Sequence, residues 1–213
     1  MCLVVSGGHT QLILMKGFGK YKTVGGTLDD AAGEAFDKIA RILGLGYPGG
    51  PVISAAAEKA KAQNPKTKIK LPRPMINSKN LDFSFSGLKT AVLYLDMGLK
   101  KKLSKNKLPK NLISQIAAEA QRAIVDVLVS KTIKAARKYG AKSIMLSGGV
   151  SANKLLRSKL QKNAEQREIK YFQPSPEYTT DNAAMIALAG YFNYKSGHGD
   201  WKKVQVNANQ GLY

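Results

Sequence analysis

The chain has few acidic residues, a single cysteine and no long hydrophobic run. Its 213 residues include 34 lysines and arginines but only 14 aspartates and glutamates, which gives a formal net charge of +20. The single cysteine, Cys2, excludes an internal disulfide and a zinc site built from cysteines, and it suits a reducing compartment. No apolar run approaches the roughly 18 residues of a membrane span, and no signal peptide opens the chain. These absences predict a soluble, cytoplasmic protein.

The shortage of acids makes charge the most informative part of the composition. A balance this basic favours a polyanionic partner such as nucleic acid, because cations near a phosphate backbone release condensed counterions. The alternative is that lysine simply covers every solvated face. The densest run of lysines falls in residues 100–110, between two helix patterns, and we interpret it as a basic loop able to touch a nucleic-acid backbone.

Hydrophobic periodicity predicts strands at the start of the chain and alternating strands and helices towards its end. Residues 2–5, 11–15 and 21–24 predict three strands joined by glycine-containing turns, an antiparallel meander. Two later strands, at 143–146 and 169–172, alternate with helices and favour a parallel part of the sheet. The predicted fold is α/β: one ribonuclease-H-like lobe of the actin-like (ASKHA) superfamily, with a mixed sheet flanked by helices.

We predict that this lobe is a single domain over residues 1–195. Within it, residues 63–80 are rich in lysine, proline and asparagine and predict an irregular loop, while 100–110 form the basic loop. Residues 196–213, which include His198, predict a loose tail.

Two Ser-Gly-Gly sequences follow predicted strands and indicate where a phosphate would bind. Glycines there let the backbone approach an anion, and successive N–H groups form a concave set of donors, to which the hydroxyl of Thr10 adds. The first lies in a hairpin, where turn geometry alone also favours glycine. The second follows a buried strand and precedes a helix, so the helix dipole adds to its donors. The residues that form the two sequences are Ser6, Gly7, Gly8, Ser147, Gly148 and Gly149.

Acidic and polar residues near predicted helix starts have two interpretations. Thr27 or Asp29 fits capping of the helix that follows them, since oxygen acceptors and negative charge are favoured at a helix N-terminus. Thr180 or Asp181 fits capping of the last helix in the same way. Asp37 lies two turns into its helix, where the dipole gives little, so capping does not explain it. We expect Asp37 to face a cleft, where a carboxylate suits ribose hydroxyls or a polar side chain.

Six segments in order resemble the TsaD family, the tRNA threonylcarbamoyladenosine transferases once called O-sialoglycoprotein endopeptidases. Each is weak alone, but six in register are specific. The resemblance implies transfer of a threonylcarbamoyl group from threonylcarbamoyl-AMP to N6 of the adenosine just 3′ of the tRNA anticodon. The segments are LVVSGGHTQLIL, LDDAAGEAFDKIARILGLGYPGGP, LPRPM, LDFSFSGLKTAV, LSGGVSANKLLR and TDNAAMIA.

The resemblance also implies roles for individual residues. Asp181 matches a ligand of one divalent metal ion, iron or zinc. Where some members have an acid shortly after Gly50, this chain has Ser54. His9 is a candidate acid–base group or donor, and the alternative is a polar turn residue. The residues that match adenylate contacts are Val4, Val5, Ser6, Gly7, Gly8, Asp37, Gly50 and Asn153.

The chain departs from the family pattern in its histidines. Family members have a preceding lobe whose His-x-x-x-His pair supplies the other metal ligands, whereas this chain has only His9 and His198. We therefore expect the other lobe to be a separate chain or to be missing, and we expect this chain to be inactive alone. The family's partners, tRNA, a TsaB-type paralogue that docks through the other lobe and a TsaE-type ATPase, are implied with it.

Two alternative functions stay open. A non-catalytic subunit of the same fold would bind nucleotide or tRNA, and an actin-like or sugar-kinase lobe would hydrolyse ATP. A peptidase is excluded, because the sequence has no His-Glu-x-x-His motif, no plausible Ser-His-Asp order and only one cysteine.

Overall fold

The computed structural model describes residues 1–63 and 69–197 of the chain. Within these ranges the chain forms five strands, six α-helices and two short 3₁₀ turns. The strands are β1 (Cys2–Val5), β2 (Thr10–Gly17), β3 (Lys20–Gly26), β4 (Ser143–Ser147) and β5 (Lys170–Phe172). The helices are α1 (Ala32–Ile42), α2 (Gly49–Gln63), α3 (Ser86–Lys102), α4 (Lys110–Lys138), α5 (Lys154–Glu165) and α6 (Ala183–Lys195).

The strands form one mixed sheet in the order β3-β2-β1-β4-β5. The first three are the antiparallel meander, and β4 pairs in parallel with both β1 and β5. The prediction of a mixed α/β sheet flanked by helices is confirmed. Because β1 and β4 are parallel neighbours, the loops that follow them leave the sheet at the same edge.

The core lies where the sheet meets the helices. Alternate residues of β1 and β4, among them Leu3, Val5 and Ile144, are fully buried, as the two-residue period of a strand requires. Helix α4 is buried along much of its 29 residues and packs against α2 and α5. Each fully buried aliphatic side chain contributes about 2 kcal/mol. The core therefore fixes the sheet edge and the helix starts that surround it.

Helix α6 is apolar yet exposed. None of its residues is buried within the described ranges, and Ile186 is 70% exposed. Phe192 stacks on Phe18 of the β2–β3 turn, with ring centroids 3.6 Å apart. No helix of the described residues is both long and apolar enough to cross a membrane.

The basic loop is shorter than predicted, because both of its ends belong to helices. Helix α3 continues through Lys102 and α4 begins at Lys110, so only residues 103–109 lie between them. The prediction of a loop over 100–110 is therefore wrong at both ends. Lysines in the last turn of a helix are favoured by its dipole, and Lys100 also pairs with Asp96 at 2.6 Å.

The other predicted irregular segments lie partly outside the described residues. Of the loop predicted over 63–80, Gln63 is the last residue of α2, and 69–80 contain neither helix nor strand. The predicted tail over 196–213, with His198, falls almost wholly outside the described residues.

Asp29 caps α3 rather than its own helix. Its carboxylate accepts hydrogen bonds from the hydroxyls of Ser84 and Ser86, both at 2.6 Å. It also accepts from the backbone N–H groups of Phe85 and Ser86, at 2.8 and 3.3 Å. These N–H groups have no partner within the helix. Asp29 therefore joins the start of α3 to the segment that precedes α1.

We expect acid to remove part of the stabilisation that Asp29 provides. Burial raises the pKa of its carboxyl, but the four hydrogen bonds outweigh this and hold the pKa below its usual value. Because the folded-state pKa is the lower one, the stabilisation is complete above about pH 4 and is lost as the pH falls through the folded value.

Asp29→Asn tests this expectation, since asparagine keeps an oxygen acceptor but does not titrate. Urea unfolding at about pH 6 is expected to show the wild type more stable by about 0.5 kcal/mol, a small value because the carboxylate is largely exposed. The difference is expected to shrink as the pH falls through the folded-state pKa of Asp29. A difference that does not change as the pH falls would contradict the assignment.

Candidate nucleotide-binding site

Both Ser-Gly-Gly sequences lie at the carboxyl edge of the parallel strands. Loop A (residues 6–9) follows β1, and loop B (residues 147–153) follows β4. The register places Val4 opposite Ser147, so the two loops start side by side. Open α/β sheets bind their ligands at this edge.

Gly148 joins loop B to the end of β1. Its φ of +91° lies in the left-handed region, which favours glycine. A Cβ atom there would lie 2.8 Å from the carbonyl carbon of Val5 and closer still to the carbonyl oxygen. Glycine at this position is therefore required by backbone packing as well as by conformation.

Loop A is a tight turn against the start of α1. Its ends are joined by hydrogen bonds from Ser6 N–H to the His9 carbonyl, at 2.8 Å, and from His9 N–H to Ser6 Oγ, at 3.0 Å. Gly33 of α1 donates its N–H to the Ser6 carbonyl at 3.1 Å, and a Cβ on Gly33 would lie only 2.6 Å from that oxygen. The close approach fixes loop A relative to α1.

Asp37 caps the start of α2. Its Oδ1 accepts the N–H of Gly49 at 2.6 Å, and a Cβ on Gly49 would lie 2.5 Å from the Cα of Asp37. Its second oxygen, Oδ2, has no partner among the described residues. The next residue, Gly50, is half-buried, with open space where a Cβ would stand. The two predicted contacts thus lie close together, and one carboxylate oxygen is left for a ligand.

Asn153 ties loop B to α2 and α4. Its Oδ1 accepts the N–H of Leu156 at 3.0 Å and so caps α5. Its Nδ2 donates to Gln121 Oε1 at 2.9 Å and to Ser54 Oγ at 3.2 Å, and Ser54 Oγ donates to Gln121 Oε1 at 2.7 Å. Both amide hydrogens therefore have partners, and a ligand that binds the amide would replace one of them.

Sequence reasoning missed Gln121, which is 8% exposed in the middle of α4. Gln121 lies four residues after Ala117 and three before Ile124, so its position on the apolar face of the helix is a signal that could have found it. Gln121 also accounts for the position of Ser54, because the side chains of Ser54, Gln121 and Asn153 form hydrogen bonds with one another.

A ring of contacts surrounds this edge of the sheet. Loop A contacts α1, α1 contacts α2, α2 contacts loop B, and loop B contacts β1. The ring brings together the predicted substrate and phosphate residues, although their contact with a ligand stays a prediction. They are Val4, Val5, Ser6, Gly7, Gly8, Asp37, Gly50, Ser147, Gly148, Gly149 and Asn153.

The glycines of the ring differ in what they offer a ligand. An added Cβ would meet no atom within 4 Å at Gly7, Gly8, Gly50 and Gly149. Their backbone is therefore open to a ligand, whereas Val5 has its side chain in the core and offers only backbone. Open space alone is not decisive, since Gly98 of α3 has it too. The four glycines of the ring differ from Gly98 because they lie together at the carboxyl edge of the sheet.

Thr10, which follows loop A, corrects two predictions. Thr10 is buried, and its hydroxyl accepts the N–H of Ala32 at 2.9 Å, so it caps α1 and is not a phosphate donor. Capping of α1 by Thr27 or Asp29 is therefore wrong.

His9 is exposed, and its imidazole has no partner within the described ranges.

Sequence comparison identifies the family. A family model described as "TsaD: tRNA N6-adenosine threonylcarbamoyltransferase" matches residues 1–188. The chain belongs to this family.

Curated relatives carry the same description. The TsaD-family chain is 52% identical over 195 residues to the tRNA N6-adenosine threonylcarbamoyltransferase of Thermosipho africanus, covering 92% of this chain and 56% of the relative. It is 46% identical over 212 residues to that of Syntrophomonas wolfei, covering 100% of this chain and 59% of the relative. It is 50% identical over 207 residues to that of Francisella tularensis, covering 97% of this chain and 59% of the relative. The chain thus spans less than two thirds of these relatives.

A solved structure supports the fold alone. "Crystal structure of T.kodakarensis HypF" aligns with a TM-score of 0.51 and 20% identity, over 80% of the TsaD-family chain and 21% of the other. The two chains therefore share an α/β fold over most of the described residues.

The described residues of the TsaD-family chain do not form a metal site. No three His, Cys, Asp or Glu side chains come together in residues 1–63 and 69–197. Asn182 caps α6 by accepting the N–H of Met185 at 3.0 Å, so the predicted cap by Thr180 or Asp181 is wrong. Asp181 is exposed, without a hydrogen bond in the described part. One carboxylate does not hold a divalent metal ion.

Proposed function

We propose that this chain is the adenylate-binding lobe of a tRNA N6-adenosine threonylcarbamoyltransferase. The reaction transfers threonylcarbamoyl from threonylcarbamoyl-AMP to N6 of the adenosine 3′ of the tRNA anticodon. The observation that carries the proposal is the ring of contacts at the carboxyl edge, in a chain that belongs to this family. The ring supports a single site to which both loops contribute.

Loops A and B bind the phosphate in this proposal. The N–H groups of Gly7, Gly8 and Gly149 have no acceptor among the described residues, and an anion is stabilised by several such donors at once. Asn153 and α5 follow loop B directly, so the positive end of the helix dipole is near. The side chain of Ser151 in loop B is buried, and its Oγ has no partner in the described part.

The adenosine lies towards α2 in this proposal. Asp37 Oδ2 accepts a ribose hydroxyl, because it is the carboxylate oxygen that Gly49 does not occupy. Gly50 allows the ligand to approach the first turn of α2. The Ser54–Gln121–Asn153 group holds loop B at the required distance from α2 and exchanges one of its hydrogen bonds when the ligand binds.

The chemistry is acyl transfer to an amine. The N6 nitrogen bonds to the carbamoyl carbon and loses one proton, the bond from that carbon to the phosphate oxygen breaks, and AMP leaves. The loop N–H groups stabilise the charge that develops on the leaving phosphate. His9 is exposed beside loop A and is the residue we assign to the proton transfer.

The family relationship supports further parts of the proposal. tRNA is the acceptor, a TsaB-type paralogue and a TsaE-type ATPase are partners, and the reaction takes place in the cytoplasm. A divalent metal ion, iron or zinc, stays a prediction from the resemblance. Asp181 is the ligand that this chain offers, and the others come from outside the described residues.

Asp37→Asn is expected to weaken binding of AMP and of threonylcarbamoyl-AMP about 10- to 100-fold. A hydrogen bond to a charged group contributes about 1.5–3 kcal/mol, and each 1.4 kcal/mol is tenfold. Asparagine keeps an oxygen for Gly49 N–H, so the cap of α2 and the melting temperature are preserved. Isothermal titration calorimetry of the 213-residue chain measures both affinities.

The control for this experiment is Glu34→Gln, which makes the same change of charge on the same helix. Glu34 pairs with Lys38 at 2.9 Å and has no hydrogen bond or ion pair to α2 among the described residues. Equal affinities for wild type and Asp37→Asn, or an equal loss in Glu34→Gln, would overturn the assignment of Asp37.

A further inference from the structure

A basic groove lies between α4 and α5, away from the carboxyl edge. Its cavity has a volume of about 1040 Å³. Val129 and Ile133 are buried and form its floor. Six cationic side chains line it: Lys134, Arg137, Lys138, Lys159, Lys162 and Arg167.

Helical periodicity places five of these cations in two facing rows, and Arg167 lies just beyond the end of α5. Lys134, Arg137 and Lys138 are three or four residues apart and share one face of α4. Lys159 and Lys162 share a face of α5 in the same way. The two helices pack against each other, so the rows stand on either side of one channel.

Chain direction places the groove at the opposite edge of the sheet from loops A and B. Helix α4 ends at Lys138, shortly before β4 starts, and α5 ends at Glu165, shortly before β5 starts. The strands β4 and β5 are parallel, so the second halves of both helices lie by the amino edge of these strands. The groove is therefore separate from the candidate nucleotide site.

The positive charge of the groove is largely uncompensated. Its one lining carboxylate, Asp126, is already held by Arg73 at 3.0 Å and by Lys159 at 2.6 Å. Of the six cations, only Lys159 has a carboxylate partner within the described ranges. Arg137 and Lys162 are exposed and have no hydrogen-bond or ion-pair partner there. Cations at helix ends also complement the dipole, but this accounts for a residue in each last turn and not for two facing rows.

The lining indicates which part of a nucleic acid fits. No aromatic side chain is among the described residues that line the groove, so bases have no surface on which to stack. Lysine and arginine around an open channel suit phosphate oxygens, which position a nucleic acid without reading its sequence.

We propose that the α4–α5 groove binds the sugar–phosphate backbone of RNA. That this RNA is tRNA rests on the proposed function, whereas the binding itself requires only the charge and shape of the groove. A tRNA held there would contact the chain at a point away from the reacting adenosine and at the opposite edge of the sheet.

Salt-dependent binding tests the proposal with the double variant Arg137→Gln/Lys162→Gln. Fluorescence anisotropy with labelled unmodified tRNA, at several salt concentrations, gives the slope of log affinity against log salt. Each lost phosphate contact lowers that slope by about 1, so we expect a reduction of about 2 and roughly tenfold weaker binding near 0.1 M salt. The matched control is Lys20→Gln/Lys22→Gln on edge strand β3, which removes the same charge from exposed positions.

The remaining outcomes separate this proposal from the proposed function. A generic duplex RNA is expected to show the same change of slope, and AMP affinity is expected to stay that of the wild type. If AMP does not bind but the RNA slopes change as expected, the proposed function fails and the groove proposal stands. An unchanged slope, an equal change in the β3 control, or an effect confined to anionic vesicles or an acidic peptide would overturn the groove proposal.

Discussion

Replacing Gly148 by alanine is expected to lower the free energy of unfolding by about 3–5 kcal/mol. The left-handed φ of +91° is unfavourable for any residue with a Cβ. That atom would also overlap the carbonyl of Val5, which is fixed in the central strand of the sheet. For a chain of about 200 residues this loss lowers the melting temperature by about 10 °C, measurable by calorimetry and urea unfolding.

The neighbouring Gly149→Ala is the matched control. The φ of Gly149 is not in the left-handed region, and a Cβ would meet no atom within 4 Å, so we expect stability to change by no more than about 0.5 kcal/mol. AMP binding is expected to fall in both variants, since loop B is displaced in one and carries an added methyl group at the open backbone in the other. Equal stability losses in both variants would contradict the packing role of Gly148. Wild-type AMP binding by Gly149→Ala would remove loop B from the phosphate site.

The sheet and the two loops could be predicted from the sequence because their signals are local. Short, nearly continuous apolar runs at 2–5 and 143–146 predicted β1 and β4, and the glycines mark where each strand ends. The parallel pairing of β4 with β5 followed from the alternation of strands and helices, whereas the pairing of β4 with β1 was not predicted. Local pattern also placed Asp37 on a helix, although its Gly49 partner was not foreseen.

Contacts between distant segments could not be predicted in this way. Asp29 caps a helix that begins 57 residues later, and nothing near Asp29 in the sequence indicates this. The sequence places Thr10 two residues after Gly8 and so predicted a phosphate donor, but the Thr10 hydroxyl is buried and accepts the N–H of Ala32. Lys131, which lies on α4, is fully buried and donates to Ser78 Oγ at 2.5 Å. In each case tertiary packing decides which polar group is available.

The basic charge illustrates the same limit. The lysines at 100–110 predicted a basic loop because they are close together in the sequence. Part of this segment is helix, however, and Lys100 forms an ion pair with Asp96. The groove instead combines residues that are three and four apart on two helices. Its signal is periodic and spread over residues 134–167, so it becomes visible only when α4 and α5 are packed together.

Arg73 lies in the LPRPM segment and joins that segment to α4. Its guanidinium donates to the Leu71 carbonyl at 2.7 Å, to Asp126 at 3.0 and 3.2 Å, and to Glu119. Glu119 has only 7% of its side chain exposed and also accepts from Arg122 at 3.0 Å. The irregular segment 69–80 is thus fixed to α4, and through the Asp126–Lys159 pair to α5 as well.

Arg73→Met is expected to lower the free energy of unfolding by about 2–3 kcal/mol. Removing one partner of a fully buried ion pair costs about 3–5 kcal/mol, and the value is lower here because a quarter of the Arg73 side chain is exposed. Methionine fills much of the space but leaves Glu119 with one cation. Arg73→Lys is expected to lose less, since it keeps the charge but not the fork that reaches two carboxylates. The surface pair Lys154–Glu58, at 3.8 Å and mostly exposed, is the control, and Lys154→Met should change stability by less than about 0.5 kcal/mol.

A double-mutant cycle with Glu119→Gln separates the ion pair from packing. If Glu119 is what Arg73 stabilises, the double variant loses less stability than the two single variants added together, by about 1–2 kcal/mol. Additive losses would instead assign the effect of Arg73 to its other partners, the Leu71 carbonyl and Asp126. Because the pair is mostly buried, the coupling should persist at about 0.5 M salt, whereas the exposed Lys154–Glu58 pair is screened. Unfolding curves at low and high salt therefore distinguish a buried ion pair that holds the 69–80 segment in place from an exposed pair that contributes little to stability.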